Sequence, residues 1–159
     1  AQGIEAGGHR GTFEVSPRAD EALSMLALTK RLNDNVSLPI VAAGGIMTTA
    51  HIREALAAGA VAVQMGTAFL TADEAGTHSS YRDALCEVPC RETILTTQFS
   101  GRVARSLQNE FTTKMAGQAI LPFPIQNRLT GPLRSAAVKS GTTEYQRLWA
   151  GTGVADILQ

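Results

Sequence analysis

Residues 38–65 constrain the fold of this chain more than any other stretch. Leu38-Pro39-Ile40-Val41-Ala42-Ala43 is a short apolar run closed by Gly44-Gly45, the pattern of a buried strand bounded by turn signals. Residues 48–59 follow as a short helix with a threonine to cap it and Gly59 to end it. Ala60-Val61-Ala62-Val63-Gln64-Met65 is then a second strand. Strand, helix and strand at this spacing form a βαβ unit with a right-handed crossover. The fold class is therefore α/β with a parallel sheet.

Parallel α/β sheets bind ligands at the carboxyl ends of their strands. Three glycine turns are predicted at such ends: the loop at 2–11 (Gln-Gly-Ile-Glu-Ala-Gly-Gly-His-Arg-Gly), Gly44-Gly45, and Gly66-Thr67. Gly44-Gly45 precedes a helix whose first N–H groups and dipole suit an anion, and Gly66-Thr67 adds donors and a hydroxyl. Singly, either pair is explained as a tight strand-to-helix turn. On consecutive strands they point together to a phosphate-bearing ligand. Gln64, a polar residue at the end of an apolar strand, is expected to face that ligand.

The loop at 2–11 presents His9 among glycines. Imidazole is the side chain that titrates near neutrality, so His9 at a strand end is suited to accept a proton from a substrate carbon. A structural imidazole bonded within its own loop is the alternative. His51 and His78 have no such context and read as surface residues. Glu5 is expected either to orient a partner or to pair with Arg10.

The chain has 159 residues, is 44% hydrophobic and 18% charged, and balances 14 basic against 14 acidic residues. It is globular, and zero net charge with 5% aromatics gives no case for nucleic acid or an anionic membrane as partner. No apolar run approaches the ~20 residues that span a bilayer. Cys86 and Cys90 supply too few ligands for a metal site and read as reduced thiols of a cytoplasmic protein. Almost no residues precede the first motif, so the strand feeding it is missing and the chain reads as the C-terminal piece of a longer protein.

Elsewhere a helix is predicted to start at residues 16–21 and continue through Leu23, Leu26, Thr29 and Leu32. Another is expected over 79–87, a strand over 93–97, and a helix over 101–115 with Val103, Leu107, Phe111 and Met115 on one face. Residues 121–124 are expected to be extended, a helix to start at Pro132, and a short last helix to cover 145–149. Residues 1–92 read as the ligand-binding part and 93–159 as a helical segment over its mouth.

These residues resemble the FMN-dependent nitronate monooxygenase family, formerly the 2-nitropropane dioxygenases, in its bacterial class. The stretches that carry the resemblance are 2–11, Ala-Ala-Gly-Gly-Ile at 42–46, Gln-Met-Gly-Thr-Ala-Phe-Leu at 64–70, and Phe-Ser-Gly-Arg-Val-Ala-Arg at 99–105. Residues 123–127 and 148–151 also look like that class. The resemblance implies the C-terminal half of a (β/α)8 TIM barrel plus a helical substrate-domain segment. It implies FMN as cofactor, lined by Gln2, Gly7 and Gly8 and held through ribityl and phosphate by Gly44, Gly45, Gln64, Met65, Gly66 and Thr67. It implies His9 as the base that faces an alkyl nitronate, such as propionate 3-nitronate, which O2 converts to a carbonyl compound and nitrite. Two alternatives share these turns: a flavin-dependent enoyl-acyl-carrier-protein reductase using NAD(P)H, and a phosphate-binding fragment without catalysis. No G-x-G-x-x-G fingerprint supports the first of them.

Overall fold

The computed structural model describes residues 1–12 and 23–157. In chain order the elements are β1 (Gly8–His9), α1 (Met25–Asn35), β2 (Val41–Ala43), α2 (Thr49–Ala57), β3 (Ala62–Gln64), α3 (Ser79–Leu85), β4 (Thr93–Thr96), β5 (Ala104–Leu107), α4 (Glu110–Lys114), α5 (Ile125–Leu129) and α6 (Gly131–Ser140). Short 3-10 turns cover Thr67–Phe69, Asp73–Ala75 and Thr152–Asp156.

The βαβ unit is present. Strands β2 and β3 pair in parallel, Val41 opposite Ala62 and Ala43 opposite Gln64. Gln2 bridges Ala43 in parallel on the far side of β2, through Gly3 N–H to Ala43 O (2.8 Å) and Ala43 N–H to Ala1 O (2.8 Å). Three successive strand ends therefore lie side by side. Thr48 caps α2 by accepting from His51 N–H. Gly59, with φ +101°, turns the chain out of the helix where a Cβ would be strained. Met25, Ala42, Ile46, Ala55 and Ala60 form the core between this sheet and its two helices. The sheet is less covered than its sequence suggests. β3 is its outer strand among the described residues, and Ala62 and Gln64 are exposed.

The helix α1 begins at Met25, where extended Ser24 accepts from Ala27 N–H. The start predicted at 16–21 lies outside the described residues.

The second sheet is antiparallel, in the order β1-β5-β4. It corrects two expectations. Residues 101–115 are not one helix. Residues 104–107 form β5, which pairs with both β4 and β1, and α4 starts only after Asn109, whose side chain and Thr112 make a reciprocal cap. The four-residue apolar spacing is satisfied instead by a strand buried on both faces, with Ala104, Ser106 and Leu107 all inaccessible. Residues 145–149 are not helical either. Leu107 N–H donates to Leu148 O (2.8 Å) and Ser106 Oγ donates to the same carbonyl (3.0 Å), so an extended segment is held beside β5. Leu148 and Ala150 join Ala84, Leu85, Leu107 and Val154 in a second core. The helix predicted at Pro132 forms, one residue earlier, at Gly131. Leu121 and Pro122 belong to no regular element, and Phe123 and Pro124 turn into α5 rather than continuing an extended run.

Candidate cofactor and active site

A cleft of about 360 Å³ opens at the carboxyl ends of the parallel strands. Gln2, Gly7, Gly8, Gly44, Gly45, Gln64, Met65, Gly66 and Thr67 all line it, together with Trp149 and Gly151 from the far end of the chain. The nine positions singled out in the sequence are thus brought to one place. Two of them require glycine for conformation as well as for space. Gly44 and Gly45 turn with φ of +121° and +67°, and a Cβ on either would press on Ala6 or Glu5. At Gly8 and Gly66 a Cβ would meet nothing within 4 Å, because it would project into open space. Among the described residues the N–H groups of Gly45, Gly66 and Thr67 find no acceptor. Unpaired amides on residues that line a cleft suit an anion. The first amides of α2 are partly spent, since Thr48 and His51 take His51 N–H and Met47 N–H.

The loop at 2–11 is locked by its own side chains. Gln2 donates to His9 O (3.0 Å) and accepts from Gly11 N–H (3.1 Å), so its amide ties the two ends of the loop together. Buried Arg10 donates to Gln2 O and Gly3 O (3.1 and 2.8 Å). Glu5 does orient a partner: its Oε2 accepts from Met25 N–H at the head of α1 (2.9 Å). Its backbone oxygen accepts from Thr152 N–H (2.9 Å). Thr67 Oγ1 accepts from Gly151 N–H (2.9 Å), tying the last turn to the cleft wall.

His9 lies just beyond the cleft, edge-on to Trp149 with ring centroids 5.3 Å apart. Its Nε2 is 2.8 Å from the Oγ of buried Ser100. In one tautomer the hydroxyl donates to Nε2. In the other it accepts, and its proton goes to Arg102 O at 3.3 Å. Burial, then the charges of Arg102 and Arg147, hold the imidazole pKa below its usual value. His9 is therefore a neutral ring at neutral pH, able to take a proton.

His51 is corrected from a surface residue to a half-buried one that accepts from Met47 N–H (3.3 Å). His78 is exposed as expected. Cys86 and Cys90 are free thiols. Among the described residues no group of three His, Cys, Asp or Glu can hold a metal ion, and no helix is long and apolar enough to cross a membrane.

Sequence reasoning did not find Ser100, Arg147 or the cleft-facing role of Trp149. Ser100 is 91 residues from His9, and no local pattern announces such a pair. Trp149 carries one sequence signal: it is the single tryptophan of the chain.

A cleft at parallel strand ends, with a neutral imidazole at its rim, is the usual place of a ligand site in an α/β protein. The chain belongs to the nitronate monooxygenase family, whose model matches residues 1–159. It is 46% identical over 158 residues to a nitronate monooxygenase of Pseudomonas aeruginosa, covering 98% of this chain and 45% of that protein. It is 40% identical over 154 residues to a probable nitronate monooxygenase of Staphylococcus saprophyticus, covering 95% and 43%. Among solved structures, a nitroalkane oxidase from Streptomyces ansochromogenes superposes with a TM-score of 0.91 at 45% identity, over 98% of this chain and 45% of that one. FabK from Thermotoga maritima is more distant, with a TM-score of 0.74 and 29% identity over 98% and 47%. The chain spans about half the length of the relatives it matches.

Proposed function

We propose that this chain is the C-terminal half of an FMN-dependent nitronate monooxygenase, its parallel strands being the last strands of a (β/α)8 barrel. Residues 93–159 would form the layer over the barrel mouth. The whole protein would oxidise alkyl nitronates with O2 to a carbonyl compound and nitrite. The observation that carries this reading is the convergence of nine glycine-turn residues and three unpaired amides on one cleft beside His9.

The residues fit a flavin mononucleotide. Gly45, Gly66 and Thr67 would hold the phosphate through N–H groups, and Gly8 and Gly66 leave the space that its body needs. Gly7 must be bare for a different reason: its Cβ would sit 2.7 Å from the backbone of Ala150 and Gly151. The flavin would supply the redox chemistry. The chain's own residues bind, orient and handle the proton. His9 stays neutral because burial, and then the charges of Arg102 and Arg147, oppose its protonation, and it would accept a proton from the carbon of a neutral nitroalkane. Ser100 would fix the ring's orientation and tautomer.

The test is an absorption spectrum of the full-length protein with FMN, before and after propionate 3-nitronate under air, with a nitrite assay. Flavin bands and nitrite release are expected. Flavin bands with NAD(P)H oxidation and no nitrite would replace this reading with the reductase, and no flavin uptake would remove both.

A further inference from the structure

Arg147, whose charge bears on His9, shares a single neutral oxygen with Arg134. Arg147 Nη1 and Arg134 Nη2 both donate to Asn127 Oδ1, at 3.3 and 3.2 Å. Arg134 has further acceptors in Asn127 O (2.7 Å) and Thr130 Oγ1 (3.1 Å). Among the described residues the contacts of Arg147 are that long amide bond and the face of Trp149, 6.0 Å from its Cζ to the ring centroid. Among the described residues no carboxylate pairs with either arginine, whereas Arg82 and Lys114 each have one and Arg91 has two.

The position of Arg147 follows from the backbone. Residues 147–150 are extended, with Leu148 and Ala150 fully buried in the core. Arg147 and Trp149 alternate with them and share the half-exposed face. Trp149 lines the cleft, and His9 meets the same indole. A half-buried guanidinium without a counter-charge is an unfavourable arrangement that an anionic ligand relieves. Burial lowers the pKa of Arg147, and burial with the charge of Arg147 lowers that of Arg134.

We propose that Arg147, held by Asn127 and supported by Arg134, is the charge partner of the substrate anion, and that it selects the anionic form of a small acid over its neutral form. Resting on the function proposed above, that anion is the nitronate. Arg147 then favours nitronates that arrive already deprotonated, and His9 serves neutral nitroalkanes alone.

The test uses the full-length protein with FMN bound and two unreactive probes of similar shape, propionate and propionamide. Binding is read from the fluorescence component that Trp149→Phe removes. Propionate should bind roughly tenfold or more tightly than propionamide, the value of one charge-assisted hydrogen bond. In Arg147→Met the preference should collapse with propionamide affinity retained, and Arg147→Lys should keep part of it. The KM for propyl-1-nitronate should rise by roughly tenfold in Arg147→Met. An unchanged propionate preference in Arg147→Met, or an equal loss of both probes, overturns the assignment. Wild-type charge preference that Arg147→Met abolishes, without nitrite from any nitronate, would keep Arg147 and overturn the proposed function. Nitrite release with an unchanged preference would do the reverse.

Discussion

The Nε2 of His9 and the Oγ of Ser100 lie 2.8 Å apart, across 91 residues of sequence. The serine is 1% exposed and is gripped by the backbone of Arg102. The imidazole at the cleft rim is thus held from the second sheet, by the turn that leads into β5.

His9 should set part of the pH dependence of stability. Its pKa is lowered on folding, so at mildly acidic pH the unfolded chain binds the proton more readily than the folded one. Its contribution is complete above about pH 6.5 and is lost as the pH falls below that value. Urea midpoints measured from about pH 7.5 down to 5.5 should drop further for wild type than for His9→Asn. Parallel curves would show that His9 is not the group responsible.

Ser100→Ala should cost about 1 kcal/mol of stability by leaving a ring nitrogen without its partner. It should also shift the acid limb of turnover with neutral nitroalkanes, because the ring loses its orienting hydroxyl. Turnover with an unshifted pH profile would reduce Ser100 to a packing residue.

Alanine at Gly7 and at Gly8 should fail in different ways. A Cβ on Gly7 would collide with the backbone of Ala150 and Gly151, which cannot yield cheaply, so a loss of about 1–3 kcal/mol in thermal or urea unfolding is expected. A Cβ on Gly8 meets open space but sits at φ +77°, costing about 1 kcal/mol while intruding where a ligand would lie. Gly8→Ala should therefore weaken FMN uptake more than its small stability loss explains.

Gln2→Ala removes the amide that joins His9 O to Gly11 N–H. Two hydrogen bonds worth about 1 kcal/mol each are lost. Amide hydrogen exchange of residues 8–11 should accelerate well before global unfolding. Gln2→Glu keeps the acceptor for Gly11 but loses the donor, and should fall between.

Glu5→Ala should cost about 1–2 kcal/mol, because Met25 N–H at the head of α1 loses its acceptor. Glu5→Gln retains an acceptor oxygen and should recover most of that loss in the same urea titration.

The βαβ unit was legible because its signals are local. Apolar runs end at glycine, Thr48 caps α2 and Gly59 closes it. The convergence of the glycine turns followed from the rule that parallel sheets bind at their strand ends. Residues 101–115 and 145–149 depart from the helices expected of them because their conformation is set by distant partners. Leu107 bonds Leu148, and His9 pairs with Ala104. A four-residue apolar spacing cannot distinguish a helical stripe from a strand buried on both faces followed by a capped turn. Arg147 was invisible for the same reason, since its separation from the carboxylates of the described residues exists only in three dimensions.

The pairing of β1 with β5 has a mechanical meaning. Gln2 belongs to the parallel sheet, yet six residues later Gly8 is stitched to Arg105 in the antiparallel one. Residues 2–8 act as a strap between two layers, and His9 follows at its far end. Pulling the layers apart would load that strap first, so the cleft rim would be the earliest casualty of any separation. Conversely, a molecule filling the cleft would act as a rivet across both layers and fuse their melting into a single event.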